Sequence, residues 1–180
     1  MDSVESPNHH KAKRSTVKVR EMTIDDLADV FHMGEKLFQA ENAPNTYRAW
    51  DEFEVADLFY SDTEFCQVAA FEDHIVGFAL GTTVSKARSA WKYGYLLWLG
   101  VLPEFQRKGV AEKLFQKFKL LMLQANVRIL VVDTEADNLQ ALSFFREQGF
   151  GNPREHIYLS MNLDQERQRM NLRKKMNGTG

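Results

Sequence analysis

Nine consecutive residues, Tyr93 to Val101 (YGYLLWLGV), carry no charge. A strand with one face in water alternates apolar and polar side chains. This one is apolar on both faces, so it belongs in the centre of a sheet covered on both sides. It runs through VLPEFQRKGVA (Val101 to Ala111) into the strongest helix signal of the chain. There Ala111, Leu114, Phe115, Phe118, Leu121, Met122 and Ala125 recur at i, i+3, i+4 and i+7. RILVVDT, Arg128 to Thr134, then reads as a second short buried strand. A covered strand, an amphipathic helix and another buried strand point to an α/β fold.

The flanking segments fit that frame. TVKVRE (Thr16 to Glu21) alternates as a first strand, and Thr23 with Asp26 three residues on forms a variant capping box. Ile24, Leu27, Val30, Phe31, Gly34, Leu37 and Phe38 follow helical spacing. A loop from Gln39 to Trp50, broken by Pro44, leads to a helix from about Asp51 to Tyr60. FCQVAAFE and HIVGFALGTTV make two strands around a turn at Glu72 and Asp73. Near the end, Asp137 or Asn138 caps a helix that Gly149 stops, and HIYLSMNL (His156 to Leu163) is the last strand. The predicted order is β-α-α-β-β-β-α-β-α-β, a single α/β domain from 16 to 163 with a mixed sheet. Residues 1–15 read as a disordered tail and 164–180 as a frayed basic tail.

Composition narrows the function classes. The chain has 180 residues, 44% hydrophobic and 27% charged, with a net charge of −2. That balance gives no overall nucleic-acid signature, and a nucleic acid is not an expected partner. No apolar run is long enough to span a bilayer, and no export signal is visible, so a cytoplasmic protein without a membrane partner is expected. One cysteine, Cys66, excludes an intrachain disulfide and a thiolate metal cluster, and no metal is expected. Cys66 lies in an apolar strand and reads as a core residue rather than a nucleophile.

The segment from Pro103 to Ala111 carries the chemistry. A strand that feeds a helix through a glycine-containing turn presents unpaired N–H groups and the positive end of the helix dipole. Gly109 has no side chain to keep a ligand from the backbone, Ala111 keeps the next turn small, and Arg107 and Lys108 add full charges. Such a site suits a pyrophosphate. A single glycine with two basic neighbours is also what an ordinary capped helix looks like. Neither GxGxxG nor GxxxxGK[ST] is present.

The pattern V-x-P-x-x-Q-x-x-G-x-A on Val101, Pro103, Gln106, Gly109 and Ala111 resembles the acyl-CoA pyrophosphate loop of GNAT-type N-acetyltransferases. NLQALSFFREQGF, Asn138 to Phe150, is similar to that family's N-x-x-A-x-x-x-Y-x-x-x-G-F segment. The resemblance covers roughly Thr16 to Leu163. It implies a mixed, mostly antiparallel central sheet flanked by helices, with a V-shaped splay between the two central strands. It also implies acetyl-CoA as acyl donor. Main chain near Leu99 and Val101 would pair with pantetheine and the thioester carbonyl. The N–H groups of Gln106, Arg107, Lys108, Gly109, Val110 and Ala111 would hold the pyrophosphate. Asn138 would contact the pantetheine arm and Phe145 would lie near the thiol.

The resemblance departs at two catalytic positions. Many members carry a glutamate on the strand before the loop, where this chain has Leu96, Leu97, Trp98 and Leu99. A subgroup that acetylates ribosomal-protein alanines places the base on the next strand, which gives Asp133 here, with Glu135 two residues on. A strand-end aspartate also commonly serves a turn. The usual tyrosine acid is replaced by Phe145, leaving Tyr158, Tyr47 or water as proton donor. Thiolate leaves tolerably without an acid, since a thiol has a pKa of about 8.5. For the acceptor, the resemblance implies contacts from the Gln39–Trp50 loop: Glu41, Tyr47, Arg48 and Trp50. The connection GNPREH is short where relatives that acetylate peptide N-termini carry a longer hairpin, so small amines and exposed lysines stay open. The expected partners are acetyl-CoA and an amine, small-molecule or protein, on a monomer or homodimer. The leading expectation is direct acetyl transfer to a primary amine. The alternative is an acyl-CoA-binding regulatory module with weak or no catalysis.

Overall fold

A computed structural model of the chain describes residues 16–38, 50–85, 91–154, 163–164 and 166–170. These fall into two compact units, one ending at Asp133 and the other beginning at Thr134.

The first unit is built on a five-stranded sheet in the order β1-β2-β3-β4-β5. The strands are β1 (Lys18–Glu21), β2 (Cys66–Phe71), β3 (His74–Ser85), β4 (Lys92–Val101) and β5 (Ile129–Val132). The first four pair antiparallel and β5 joins β4 in parallel, the mixed, mostly antiparallel sheet expected. Helices α1 (Leu27–Leu37) and α2 (Glu52–Ser61) precede β2, and α3 (Val110–Gln124) links β4 to β5. Among the described residues no helix is long and apolar enough to cross a membrane.

The entry to α1 shows why the expected helix start at Thr23 shifts. One 3-10 turn, Ile24–Asp26, comes first. The Asp26 carboxylate accepts from the Thr23 backbone N–H and hydroxyl, both at 2.8 Å, and from both terminal nitrogens of Arg20 at 2.6 and 2.8 Å. Arg20 sits on β1, so this cap also fastens the strand to the helix. The bidentate hydrogen bonds from Arg20 hold the Asp26 carboxyl at about 2, well below the usual carboxylate range.

β3 decides how the two faces of the sheet are covered. Its sequence GFALG alternates small and large side chains. Phe78 and Leu80 pack with Val30 and Met33 of α1 and Val55, Leu58 and Phe59 of α2. On the other face α3 comes so close that a Cβ at Gly77 would meet Leu114 at 3.1 Å, and one at Gly81 would meet Phe118 at 2.5 Å. Leu114, Phe115, Phe118 and Met122 of α3 are buried there. Burying each such side chain contributes about 1.5–3 kcal/mol. Cys66 is fully buried and its Sγ approaches the Leu58 carbonyl at 3.6 Å, the core role expected of it. Burial pushes its thiol up to about 12.

In the second unit, α4 (Leu139–Glu147) starts where Asn138 Oδ1 accepts from the Ala141 N–H at 3.1 Å. It ends at Gly149, φ +94°. There the Gly149 N–H donates to the Arg146 carbonyl, and the Phe150 N–H to the Phe145 carbonyl. This is a Schellman closure with its apolar contact, the rings of Phe145 and Phe150 lying 5.4 Å apart. The last strand expected from His156 lies outside the described residues up to 162, while Leu163 is helical. The described residues 166–170 of the expected frayed tail are helical too.

Candidate functional site

β4 is not a regular strand. Leu80 of β3 pairs with Trp98, but the next residue, Gly81, pairs with Leu96. Leu97 is therefore an extra residue, a β-bulge. A bulge shifts the pleat by one, so residues beyond it change face. Gly94 faces α3, where a Cβ would meet Met122 Sδ at 2.6 Å. Gly100, an even number of residues on, faces the opposite side, where a Cβ would meet Leu37 and Phe78 at 2.9 Å. Trp98 emerges on that side too, against Phe38 and Trp50 with ring centroids at 4.9 and 5.1 Å.

The bulge also marks where the two central strands part. Pairing of β4 with β5 runs only from Tyr93–Ile129 to Leu96–Val132. Pairing with β3 continues to Val101. A bulged strand bends and twists. Beyond Leu96, β4 follows β3 while β5 has ended. This is the opening expected between the central strands, and Leu99 and Val101 lie along it.

The loop after β4 is shaped for close backbone approach. A 3-10 turn, Pro103–Phe105, follows Leu102. Gln106 Nε2 then donates to the Val101 carbonyl at 3.0 Å, tying the loop to the strand end. Arg107 and Gly109 take positive φ, +56° and +75°. The left-handed conformation costs a residue with a Cβ about 1–2 kcal/mol, so Arg107 stores strain where Gly109 does not. Alternating signs of φ aim successive N–H groups into one concavity that binds anions. Gly109 is the N-cap of α3, and the first intrahelical bond goes from the Lys113 N–H to its carbonyl. The N–H groups of Val110, Ala111 and Glu112 precede that bond and point out of the helix start. Among the described residues a Cβ on Gly109 would meet nothing within 4 Å. Lys108 lies over the Phe105 ring at 5.4 Å.

The other expected site residues are distributed less simply. Asp133 follows the last residue of β5 and is exposed, at the level where β4 and β5 stop pairing. Trp50 is half-buried and its indole N–H is committed to the Phe31 carbonyl at 2.9 Å. It is first an anchor of α1, and only its ring remains for an acceptor. Asn138 and Phe145 belong to the second unit, where one caps α4 and the other closes it. Glu41, Tyr47, Arg48 and Tyr158 lie outside the described residues.

Sequence reasoning missed one contact in the site. Glu54 of α2 turns its Oε1 to the Trp98 indole, which donates at 3.1 Å. The two are 44 positions apart, and no local pattern links them.

Three comparisons bear on this geometry. Residues 29–150 match the family described as "Acetyltransferase (GNAT) family". An 87-residue stretch is 32% identical to N-alpha-acetyltransferase 30 of Schizosaccharomyces pombe (strain 972 / ATCC 24843). It covers 48% of this chain and 57% of that protein, so the match spans little more than half of the relative. Among solved structures, an aminoglycoside acetyltransferase from an uncultured soil metagenomic sample, in complex with trehalose, superposes with a TM-score of 0.66. It is 20% identical, over 81% of this chain and 97% of that one. Ard1 from Thermoplasma volcanium gives 0.64 at 21% identity, over 75% and 82% of the two chains. At such identities the likeness shows the fold.

Proposed function

The chain belongs to the acetyltransferase (GNAT) family, and we propose that it transfers an acetyl group directly from acetyl-CoA to a primary amine, on a small molecule or a protein. The observation that carries this reading is the opening beyond Leu96 leading straight into an anion-shaped loop. A strand edge suits the amides of pantetheine, and an adjacent N-terminal helix turn suits the pyrophosphate. In this reading Leu99 and Val101 offer main-chain partners to pantetheine. The Val101 carbonyl has two lone pairs and shares them with Gln106. The N–H groups from Gln106 to Ala111 receive the pyrophosphate, and Arg107 and Lys108 supply charge.

The chemistry needs few parts. The acceptor ammonium loses a proton, its nitrogen attacks the thioester carbonyl, and the C–N bond forms. The C–S bond then breaks, the nitrogen releases its second proton, and the thiolate takes one up. Net, one proton goes to solvent. Asp133, exposed beside the opening, is the proposed base, acting directly or through water. A main-chain N–H on β4 polarises the carbonyl. Phe145 has no proton to give, so the thiolate leaves on its own modest pKa.

The test is calorimetric titration of acetyl-CoA into the wild type, Gly109→Glu and Gly109→Asn. Both variants place a Cβ in open space at positive φ, and asparagine tolerates that conformation. Binding in the wild type, kept in Gly109→Asn and lost in Gly109→Glu, supports the phosphate site. Release of CoA with cadaverine, kanamycin or an unblocked hexapeptide then supports transfer. Binding without turnover of any amine would favour a regulatory acyl-CoA module. No binding in the wild type overturns the reading.

A further inference from the structure

Arg107 holds a conformation that its own side chain disfavours. Of the described residues other than glycine, four take a positive φ: Glu72, Arg107, Asn126 and Asn152. Asparagine visits the left-handed region readily. Glu72 lies in the two-residue turn between β2 and β3, where paired strands on both sides impose the turn. Neither reason covers Arg107. It has a full side chain and no strand ladder around it, so its φ of +56° is imposed by what holds the loop at its two ends.

On the far side Gly109 caps α3, and Val110 and Leu114 are buried, so the helix end is fixed. On the near side the Leu102 N–H donates to the Val76 carbonyl at 3.0 Å and ends β4 against β3. The 3-10 turn Pro103–Phe105 follows, and Phe105 comes to rest on the end of the β2–β3 hairpin. Its ring lies 5.4 Å from that of Phe71, the last residue of β2, tilted by 53°. Both residues are half-buried. Lys108 then reaches back three positions and sets its ammonium over the same ring, 5.4 Å from the centroid. Phe105 therefore touches the chain on both sides of Arg107. The charges need that ring too. Arg107, Lys108 and the positive end of the α3 dipole crowd together. An aromatic face draws an ammonium and offsets part of their repulsion before any anion arrives.

We propose that Phe105 is the positioning residue of the donor loop. Seated on Phe71 and covered by the Lys108 ammonium, it keeps Arg107 left-handed, so that the N–H groups from Gln106 to Ala111 already face one concavity when acyl-CoA arrives. This rests on the acetyltransferase reading above and adds the device that shapes its phosphate site. A loop that must first reach that shape binds more weakly, by the fraction of time it spends there.

Calorimetry with acetyl-CoA tests this on wild type, Phe105→Ala, Phe105→Tyr and Phe71→Leu, each also in an Arg107→Gly background. The expected Kd is about 5–30-fold higher in Phe105→Ala, which is the left-handed cost of about 1–2 kcal/mol at about 1.4 kcal/mol per tenfold. Phe105→Tyr keeps the ring and stays within twofold of wild type. Phe71→Leu removes the seat and gives a smaller loss. The background decides how the ring acts. Glycine takes either sign of φ with similar ease, so Phe105→Ala should weaken binding less than threefold once Arg107→Gly is present. A ring that merely stabilises the fold shows no such dependence. Two results would overturn the proposal with the transferase reading intact. One is Phe105→Ala within twofold of wild type. The other is an equal loss in both backgrounds. If circular dichroism shows Phe105→Ala unfolded, Phe71→Leu carries the same comparison, and a loss that does not shrink beside Arg107→Gly overturns the proposal. A wild type that does not bind acetyl-CoA overturns the inference and the donor-site reading together.

Discussion

Gly34→Ala sets two magnitudes against each other. Gly34 is inside α1, where helix propensity alone favours alanine by about 1 kcal/mol. The structure opposes this. A Cβ there would lie 2.0 Å from Trp50 Cε2, 2.1 Å from Cζ2 and 2.6 Å from Nε1. Carbon contacts are comfortable at about 3.5–4 Å, so the indole must retreat by roughly 1.5 Å. Its N–H then loses the Phe31 carbonyl, now at 2.9 Å. It also loses its seating on Phe38, Phe78 and Trp98, with centroids at 5.4, 5.3 and 5.1 Å. Overpacking strain of about 1–3 kcal/mol, a hydrogen bond of about 1 and ring contacts of about 0.5–1 outweigh the propensity gain. The net loss is about 2–3 kcal/mol. In a chain of this length that lowers Tm by about 4–12 °C. Urea unfolding followed by circular dichroism measures it. The same substitution in a Trp50→Leu background has no ring to displace and should recover the propensity gain, a coupling read from the double-mutant cycle. A Gly34→Ala protein as stable as wild type would mean that Trp50 does not sit on Gly34 in solution, and the reasoning would fail.

Asp26→Asn tests the Arg20 pairing through pH. The folded carboxyl is depressed from 3.8 to about 2, so its stabilisation is complete above about pH 4 and is lost as pH falls towards 2. At about 1.4 kcal/mol per pH unit, discounted because Arg20 is 45% exposed, it is worth about 1–2 kcal/mol. The stability gap between wild type and Asp26→Asn should be that large at pH 7 and close by pH 2, and a gap that persists in acid refutes the assignment. Cys66, fully buried with its thiol near 12, should resist a disulfide reagent at pH 8 in the native protein and react fully in urea. Prompt labelling of the folded chain would contradict its burial. Gly109→Ala should cost about 1–2 kcal/mol from its φ of +75° and nothing from crowding. Urea unfolding checks it, and a stabilised variant would mean the loop does not need that conformation.

Much of this protein is local, and what is local was legible. α3 could be read because its apolar residues recur at one helical period whatever they pack against. A cap of α4 at Asp137 or Asn138, which the structure resolves to Asn138, and its stop at Gly149 could be read because capping needs only the helix's own backbone. The glycine-containing turn between β4 and α3 could be read as well, and Gly109 takes there a left-handed conformation that its missing Cβ permits. The sequence also showed that β4 is covered on both sides and that Cys66 belongs to the core.

Tertiary structure decided the rest. Nothing in YLLWLG says that Leu97 is the extra residue. A bulge exists only relative to a partner strand, and here Leu80 and Gly81 define it. That one-residue shift sends Trp98 to the face of α2, where Glu54 meets it from 44 positions away. Trp50, expected on the acceptor, is bound to a backbone carbonyl on α1, because only Gly34 leaves room for its ring. Residues that act through neighbours in the chain announce themselves in the sequence. Residues brought together by the register of the sheet do not, because strand pairing fixes register and strand pairing is a property of the folded chain.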